Sequence, residues 1–294
     1  MDYMLRTVYM KHLLLNAHLR NRFGERVQRI PLDPGFGCPN REGDQGGCTF
    51  CDDSGSAAPW ISKGQKIDEQ LKIGSEIALR RYRAKKYIAY FQAFSGTFAS
   101  PDVLEKMYSK VLSYPGVVGI AVSTRPDCVS EDVLSLLEDF SKRTYLWIEL
   151  GAQSMLGKSL KWMNRGHDPE TFNDAVKRSK KRHLEVIGHI IFGLPTESKQ
   201  EMLESFKLFL NSGIDGYKIH ALHIIKGTKL EDLYRSNPFR LMNMDEYISV
   251  VREALDMTPE GKIIHRLTGE VEKKRLFMPE WVLRKDEILR GILA

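Results

Sequence analysis

Three of the four cysteines in this 294-residue sequence lie in one short, glycine-rich stretch. The stretch, "GCPNREGDQGGCTFC", carries Cys38, Cys48 and Cys51, with nine and then two residues between successive cysteines. Clustered cysteines in a reducing compartment bind metal or react more often than they form disulfides. Three is an odd number for disulfides and one short of a closed tetrahedral metal site. The spacing therefore indicates a loop that binds metal or reacts.

Three kinds of site fit these cysteines. Zinc would need a fourth ligand, from Cys128 or a histidine, or a water molecule in a catalytic site. "CTFC" could form a redox pair, although that motif usually opens a helix in a thioredoxin-like βαβ unit. An iron–sulfur cluster held by three thiolates would leave one iron free to bind a substrate. The cysteines alone favour the cluster and leave the other two kinds of site open.

The elements that must position these cysteines alternate between strands and helices. Helical spacing fills the intervals between strand-like runs, and Ser100, Ser130, Asp168 and Thr196 are predicted helix N-caps. Near-continuous apolar strands separated by helices are typical of a parallel sheet covered by helices. The six predicted strands lie in "RVQRIPL", "YIAYFQAF", "VVGIAVS", "YLWIEL", "LEVIGHIIFGL" and "IDGYKIHALHII".

The predicted fold is α/β, a partial (β/α)6 TIM-like barrel of parallel strands with a short C-terminal extension. A flat doubly wound sheet would show the same alternation. Polar, glycine or cysteine residues follow all six strands, and barrels collect their chemistry at the carboxyl ends of the strands. A switch-point site would draw on fewer loops. We expect an N-terminal helical extension over residues 1–25, the barrel over 26–237 and the C-terminal extension over 238–294.

Several segments, spread over almost the whole chain, resemble one enzyme superfamily. They are "DPGFGCPNREGDQGGCTFC", "STRPDCVSEDVLSLL", "ELGAQS", "NRGHDPETF", "HIIFGLPTES", "YKIHALHIIKGTKLEDLY" and "MPEW". They resemble the radical S-adenosylmethionine (SAM) superfamily. The cysteine spacing is similar to that of the branch containing the catalytic subunit of Elongator, and the segments together resemble its small bacterial YhcC/YtqA-like subfamily.

This resemblance implies an enzyme in which Cys38, Cys48 and Cys51 hold a [4Fe–4S] cluster. SAM would chelate the fourth iron and be cleaved reductively to a 5′-deoxyadenosyl radical. The resemblance also implies a reductive electron donor of the flavodoxin or ferredoxin type. In such enzymes the cofactor supplies the difficult chemistry, while the protein positions and protects it.

The resemblance assigns further residues to the cofactors, most of them at strand ends. Phe50 would shield the cluster and lie near the adenine. Residues 95–97 stand where many relatives carry a Gly-Gly-Glu type motif, without its glutamate, and a plain turn is the alternative. Ser123 and Arg125 of "STRPD" are expected near the methionine or ribose of SAM, with a helix-entry turn as the alternative.

The later strand ends complete the predicted SAM site. Glu149 and Gln153 resemble positions that meet the ribose hydroxyls and carboxylate in oxygen-independent coproporphyrinogen oxidases. Arg165 is predicted to bind the SAM carboxylate, with a surface arginine as the alternative. The backbone of "IFGLP" would pass beside the adenine, where Gly193 permits close approach. His189 replaces an acidic residue of some relatives, and a hydrogen-bonded core histidine is the alternative. The predicted cofactor contacts are Phe50, Ser95, Gly96, Thr97, Ser123, Arg125, Glu149, Gln153, Arg165, His189, Phe192, Gly193 and Leu194.

The sixth strand carries the predicted catalytic residues. Lys218 and His220 alternate with apolar residues, so they share one face of the strand. If that face points into the barrel, both side chains reach the substrate. We predict that they contact the substrate or donate a proton.

Charge and hydropathy limit the partners. The formal net charge is +6, and "RRYRAKK", "KRSKKRH" and "VEKKRLFMPEWVLRK" hold much of the excess. Such runs are ordinarily solvated helix faces, but together they make a polyanionic partner plausible. No stretch approaches the roughly 20 apolar residues of a membrane span, and the start lacks the features of a signal peptide. We expect a cytoplasmic protein that does not bind a membrane.

The Elongator resemblance implies a tRNA substrate, with chemistry at the C5 substituent of a wobble uridine. A radical SAM enzyme acting on a small molecule is the alternative within the same class. The alternative from another class is a non-catalytic RNA-binding protein in which the cysteines hold a structural zinc ion.

Overall fold

The computed structural model describes residues 12–294. Residues 1–11 of the predicted N-terminal extension lie outside this range. The rest of that extension contains a two-residue strand, β1 (Leu13–Leu14), and a helix, α1 (Leu15–Phe23). α1 contacts both β2 (Val27–Leu32) and a later strand, β9. It therefore lies between strands from opposite ends of the chain.

The six predicted strands all form, and they join β1 and β9 in one parallel sheet. The sheet has the order β1-β9-β7-β6-β5-β4-β3-β2. β1 and β9, of two and four residues, were not among the predicted strands. The strands after β2 are β3 (Lys86–Phe91), β4 (Val117–Thr124), β5 (Tyr145–Gln153), β6 (Glu185–Phe192), β7 (Gly216–Ala221), β8 (Ile224–Ile225), β9 (Ile263–Arg266) and β10 (Leu276–Met278).

The sheet curls into a half-barrel. β3 and β7 are separated by three strands, so a flat sheet would hold them about 19 Å apart at the usual strand spacing. Yet the Lys218 ammonium on β7 donates to the Tyr90 hydroxyl on β3 at 2.9 Å. The predicted partial barrel is therefore confirmed, and the flat doubly wound alternative is excluded.

Helices cover the outer face of this sheet. Ser130 and Asp168 cap their helices as predicted, by accepting from the backbone N–H groups three residues later. The prediction that Thr196 is an N-cap was wrong. Ser198 caps the helix Lys199–Asn211 with a capping box, and the Thr196 hydroxyl instead hydrogen-bonds to the Ser159 hydroxyl. The helices after α1 are α2 (Ile67–Tyr82), α3 (Pro101–Leu112), α4 (Glu131–Ser141), α5 (Gly157–Trp162), α6 (Pro169–Lys181), α7 (Lys199–Asn211), α8 (Lys229–Ser236), α9 (Met244–Asp256) and α10 (Lys285–Leu293).

The two faces of the strands belong to different cores. The outer core joins strand residues such as Phe91, Ile148 and Phe192 to the helices. The inner core joins the opposite faces of the strands to α1, and Tyr90, Tyr145 and Trp147 are its largest buried side chains. Because side chains alternate along a strand, β2 to β6 each contribute to both cores, whereas β7 turns Lys218 and His220 inward and its apolar residues outward. The polar side chains that point inward therefore share the interior of the barrel.

The last part of the chain contributes to the barrel and to its rim. β9, from the predicted extension at 238–294, pairs in parallel with β7. β10 pairs antiparallel with β8 just beyond the carboxyl end of β7. Within residues 12–294 no helix is at once long and apolar enough to cross a membrane.

Candidate active site

The cysteine loop, residues 33–66, joins β2 to α2 at the carboxyl end of the strands. Its regular structure is limited to two short 3-10 turns. Gly37 and Gly47 have φ values of 74° and 78°, a backbone region that favours glycine. All three thiols are free; Cys48 is buried, and Cys38 and Cys51 are partly exposed. The loop thus presents three unbridged sulfurs at the barrel mouth, as predicted.

Backbone hydrogen bonds tie this loop to three other strand-end segments. The Ser95 N–H donates to the Gly37 carbonyl at 3.1 Å, after β3. The Thr49 N–H donates to the Met163 carbonyl at 2.9 Å, at the end of α5. The Thr49 carbonyl accepts from Leu230, at the start of α8, also at 2.9 Å. The loop is therefore held by the barrel and does not depend on regular structure of its own.

Two side chains donate hydrogen bonds to the buried sulfur. Asn40 Nδ2 and Arg165 Nη1 each lie 3.4 Å from Cys48 Sγ. Arg41 lies beside the last cysteine, and its Nη2 donates to the Cys51 carbonyl at 2.9 Å. Burial raises the pKa of the Cys51 thiol, and the Arg41 charge opposes that shift. Such donors stabilise negative charge on sulfur.

These residues fit a [4Fe–4S] cluster. Three free thiols with N–H donors at sulfur are the donor set of a cluster with one iron left for another ligand. Arg165 Nε is also buried and has no partner, so it can donate to a bound group. No three His, Cys, Asp or Glu side chains of residues 12–294 converge as ligands of a single ion. In a four-iron cluster each cysteine binds a different iron.

Arg165 is positioned by the backbone of two neighbouring segments. Its Nη2 donates to the Gly151 carbonyl at 2.9 Å, and its own carbonyl accepts from Arg125 Nη1 at 2.7 Å. A Cβ on Gly151 would lie 2.6 Å from Arg165 Nη2 and from Gln153 Nε2, so a larger residue here would displace the ends of these two side chains. Arg125 is held in turn by Asp127, through bonds of 2.8 and 2.6 Å. The arginines predicted to bind SAM form one network beside Cys48.

The predicted contacts at 95–97 and 123 hold two strand ends together. The Ser95 and Thr97 hydroxyls lie 2.7 and 2.6 Å from the Thr124 hydroxyl. The Gly96 N–H donates to the Ser123 carbonyl at 2.8 Å. Ser95 and Thr97 are almost fully buried. Their place under the cysteine loop is established, and their role toward SAM stays a prediction.

Glu149 lies deeper, in the barrel interior, and is fully enclosed. Its carboxylate pairs with the Lys218 ammonium and accepts from the Tyr90 hydroxyl at 2.6 Å. It also accepts from Trp147 Nε1 at 2.8 Å, and His189 Nε2 lies 3.0 Å away. We call these five residues the interior polar cluster. The Glu149 carboxylate is thus already bonded to neighbouring side chains, and its predicted contact with SAM stays untested.

The interior polar cluster determines the protonation states of its own side chains. Burial alone would raise the pKa of Glu149, but Lys218 and two histidines outweigh it and hold that pKa well below its usual range. Burial and the Lys218 charge lower the pKa of His189 to about 4. Burial likewise holds the pKa of His220 well below its usual range. At neutral pH an ionised carboxylate therefore faces neutral histidines.

Lys218 and His220 both point into the barrel, but their surroundings differ. The Lys218 side chain is 1% exposed and paired with Glu149. His220 is partly exposed, and its Nε2 is buried without a partner. Its ring lies 5.6 Å from the ring of His189. His220 is therefore the better placed of the two predicted catalytic residues to meet a ligand.

Five predicted contacts remain: Gln153 at the end of β5, Phe192 at the end of β6, Gly193 and Leu194 after it, and Phe50 in the cysteine loop. Gln153 has a φ of 68°, which is uncommon outside glycine, and it folds over Gly151. The Phe192 side chain faces the outer core, so only its backbone can reach a ligand. Its carbonyl already accepts from the Leu222 N–H at 2.8 Å, and the Gly193 N–H contacts Met202 Sδ at 3.1 Å. Leu194 and Phe50 share a small core below the loop.

Sequence reasoning missed four side chains of this region. Asn40 and Arg41 lie between the first two cysteines, where polar residues inside a ligand loop could have marked them. Arg29 and Arg266 also reach the barrel interior. Arg29 lies in the first predicted strand and Arg266 in one too short to predict, so periodicity alone did not single them out.

The chain matches known families over most of its length. Residues 32–209 match the Radical SAM superfamily, and residues 214–294 match the Radical_SAM C-terminal domain. YtqA of Bacillus subtilis is 38% identical over 95% of this chain and 87% of its own length. Elongator complex protein 3 of Saccharomyces cerevisiae is 26% identical over 70% of this chain but only 37% of its own length.

One solved structure shows the same fold. It is the archaeal Elp3 of Methanocaldococcus infernus, with a TM-score of 0.65 and 18% identity, over 90% of this chain and 63% of that one. Radical SAM enzymes use a [4Fe–4S] cluster and SAM and require a reductant, so the non-catalytic zinc protein is excluded. The cysteine loop and the half-barrel are thus parts of one catalytic architecture, and this chain belongs to the radical SAM superfamily.

Proposed function

We propose that this radical SAM enzyme modifies tRNA, at the C5 substituent of a wobble uridine. The similarity to Elongator complex protein 3 supports the substrate class. The observation that carries the proposal is a basic and aromatic surface beside the cysteine loop. A cytoplasmic location and an electron donor of the flavodoxin or ferredoxin type belong to the same proposal.

The surface consists of partly exposed aromatic rings next to exposed cations. Tyr234 lies 5.1 Å from Phe239 and 6.1 Å from Phe277, measured between ring centroids. The Arg235 guanidinium lies 4.5 Å from the centroid of the Phe277 ring. Aromatic rings stack on unpaired bases, while cations bind phosphates. We call this the mouth surface: Trp162, Tyr234, Arg235, Phe239, Arg240, Lys274 and Phe277.

The mouth surface is continuous with the cysteine loop. Its aromatic side chains pack on the same small core as Phe50. Arg275 forms an ion pair with Asp52 and donates to the Ser54 hydroxyl at 3.2 Å. A base stacked on this surface would therefore lie next to the predicted cofactor site.

The other basic runs lie away from the mouth. Residues 80–86 and 177–183 end helices that lead into β3 and β6, so they lie at the amino ends of the strands. Arg182 in the second run is paired with Glu131 and Glu138. Lys180 in the same run is paired with Asp215. The mouth cations Arg235, Arg240 and Lys274 are also paired, with Glu231, Glu246 and Glu272, so it is the position beside the cysteine loop that favours the mouth surface.

The chain's own residues then have distinct tasks. When bound, the cluster and SAM supply one-electron cleavage of a sulfonium C–S bond. Cys38, Cys48 and Cys51 hold the cluster, while Asn40 and Arg165 donate hydrogen bonds to sulfur. The barrel walls exclude water and stray hydrogen donors from the reacting centre. The mouth surface orients the nucleoside.

Mass spectrometry of tRNA nucleosides tests the substrate. Cells lacking the gene should lose or accumulate one modified wobble uridine, and the wild-type gene should restore the profile. Cys48→Ala should fail to restore it because the cluster is lost. An unchanged profile in the deletion strain would reject tRNA and favour a small-molecule substrate.

Binding tests the mouth surface independently of turnover. The double variant Arg240→Gln/Lys274→Gln should bind tRNA about tenfold more weakly and with a smaller salt dependence, because two phosphate contacts are lost. Arg178→Gln, at the opposite end of the barrel, is the matched control because Arg178 is also an ion-paired surface arginine, and it should bind as wild type does. An equal loss of tRNA affinity in the double variant and in Arg178→Gln would show that tRNA does not bind specifically at the mouth surface.

A further inference from the structure

We propose that the barrel interior binds an oxyanion of the substrate, a carboxylate or a phosphate, through Arg29 and Arg266 beside Lys218. This subsite is separate from the cysteine loop. It deepens the proposed function and rests on the substrate entering the barrel. We call these three residues the interior cations.

Arg266 reaches the interior because of the way β9 pairs. Arg266 lies opposite Lys218 in the parallel register, so the two side chains share one face of the sheet. The register shifts just before this pair, and His265 also turns inward. The His265 ring lies 5.4 Å from Trp147, and its Nδ1 lies 3.7 Å from the Glu149 carboxylate. Two successive residues of β9 therefore enter the barrel.

Arg29 approaches the same region from the other edge of the sheet. Its guanidinium lies 5.5 Å from the centroid of the Tyr90 ring, and Lys218 Nζ lies 4.5 Å from that centroid. Arg29 Nη1 is shielded from solvent and has no hydrogen-bond partner. A buried guanidinium N–H without an acceptor is costly and calls for a partner.

The acidic groups nearby do not balance the interior cations. In the described part of the chain, Glu149 is the carboxylate that pairs with any of the three, and it pairs with Lys218. Lys285, whose pKa burial and the Arg266 charge lower, is already paired with Glu270. The Glu149 charge also acts on Arg29, but within residues 12–294 neither Arg29 nor the partly exposed Arg266 forms an ion pair of its own.

An oxyanion satisfies this arrangement. Guanidinium groups match carboxylate and phosphate oxygens with paired hydrogen bonds, and a low-dielectric interior strengthens them. Neutral His220, with its unpartnered Nε2, can complete the binding by donating a hydrogen bond from that nitrogen. Burial lowers the pKa of Lys218, the Glu149 carboxylate opposes that shift, and the Arg29 and Arg266 charges add to it, as expected where three cations share one carboxylate.

Calorimetry with small anions tests the subsite directly. The full-length reconstituted protein is saturated with S-adenosylhomocysteine, so the predicted SAM site is filled. It is then titrated with acetate or inorganic phosphate at constant ionic strength, with chloride as the reference. Arg266→Gln and Arg29→Gln should each weaken binding about tenfold or more. The stronger of the two anions identifies the carboxylate or the phosphate source.

Arg143→Gln is the matched control. Its guanidinium also lies over an aromatic ring, 4.1 Å from the centroid of Phe140, but it is exposed and outside the barrel. It should bind both anions within twofold of wild type. Absence of anion binding in the wild-type protein, or wild-type binding by Arg266→Gln, would overturn the proposal.

A second readout avoids variants that fold poorly. Phenylglyoxal modifies arginine, and peptide mapping of the wild-type protein shows which arginines an anion protects. Acetate or phosphate should protect Arg29 and Arg266 and leave Arg143 unprotected. Equal protection at all three would contradict the subsite. Neither assay uses tRNA or turnover. An unchanged tRNA profile with intact anion binding would therefore reject only the substrate proposal. A changed tRNA profile without anion binding would reject only the subsite.

Discussion

The cysteine loop and the interior polar cluster show how one half-barrel separates binding from stability. In the loop, Cys48 receives two N–H donors, and Arg165 Nε points to no protein acceptor. In the interior polar cluster, the Glu149 carboxylate is surrounded by donors from four side chains. A donor without a protein acceptor at the mouth is available to bind a ligand. The donors around Glu149 hold strands from opposite sides of the half-barrel together.

The comparison predicts different losses from substitutions in the two regions. Removing a mouth residue should remove cofactor while the protein stays folded. Removing an interior residue should cost folding free energy, whether or not cofactor is bound. The following variants test this separation, from the largest expected effect to the smallest.

Cys48→Ala should abolish cluster binding and SAM cleavage. Iron should fall from about four per chain in the reconstituted wild type to a small remainder. Release of 5′-deoxyadenosine on reduction should fall to background, because the remaining two thiols cannot hold the cluster. The cost in folding free energy should be only about 1 kcal/mol, the usual scale for a small truncation.

Cys128→Ala is the control for this variant. Cys128 is partly exposed and contacts Asp127 at 3.8 Å, and burial raises its pKa to about 11. It should keep full iron content and SAM cleavage. Full iron in Cys48→Ala, or loss of iron in Cys128→Ala, would contradict the assigned ligand set.

Glu149→Gln should destabilise the protein by about 3–5 kcal/mol, the scale for breaking a buried ion pair. The variant leaves the Lys218 ammonium buried opposite a neutral amide. Urea denaturation monitored by circular dichroism measures the loss. The low pKa of Glu149 means that its stabilisation is present above about pH 4.3, the unfolded value, and is lost as the pH falls through the folded value.

Glu246→Gln provides a matched surface comparison. Glu246 pairs with Arg240 on the surface, and a glutamine preserves the capping box at the start of α9. Its cost should stay below about 1 kcal/mol. Equal costs for the two variants would show that the interior cluster does not carry the barrel's stability.

The sequence predicted the strands and the cysteine loop, because both signals are local. Six apolar runs and one cysteine spacing were enough to place the loop at the carboxyl end of a curled sheet. β9 was missed because four residues are too few for periodicity. It joins the sheet only through tertiary pairing with β7, which no local pattern records.

Contacts across the barrel were not predictable from one sequence. Glu149 was assigned to a strand end and to the SAM site by resemblance, and its contacts inside the barrel were not predicted. In the structure Glu149 bonds to Tyr90 and Lys218, which lie 59 and 69 residues away in the chain. The curl of the sheet brings them together, and curl is a property of the whole sheet.

Arg165→Met should shift the cluster potential while keeping the cluster. The variant removes a positive charge and an N–H donor from Cys48 Sγ, both of which stabilise the reduced, more negative state. The midpoint potential should become more negative, by on the order of tens of millivolts. A redox titration followed by electron paramagnetic resonance measures it. Arg235→Met, on the mouth surface, is the control and should leave the potential unchanged.

His265→Phe should flatten the dependence of stability on pH. Burial lowers the pKa of His265 to about 3, against about 6.5 in an unfolded chain. As the pH falls below 6.5, the unfolded chain takes up a proton that the folded protein excludes, so stability falls. Between pH 7 and 5.5 this histidine should account for about 1 kcal/mol.

The phenyl ring can keep the edge contact with Trp147 and removes a ring whose two nitrogens have no hydrogen-bond partner. Glu149 favours the protonated form of His265, whereas Lys218 and Arg29 oppose it. Urea denaturation at both pH values should therefore show a smaller loss of stability for the variant than for wild type. An unchanged loss would mean that His265 is protonated in the folded protein. The interior would then hold one more positive charge, and the need for a bound oxyanion beside Arg266 would be greater.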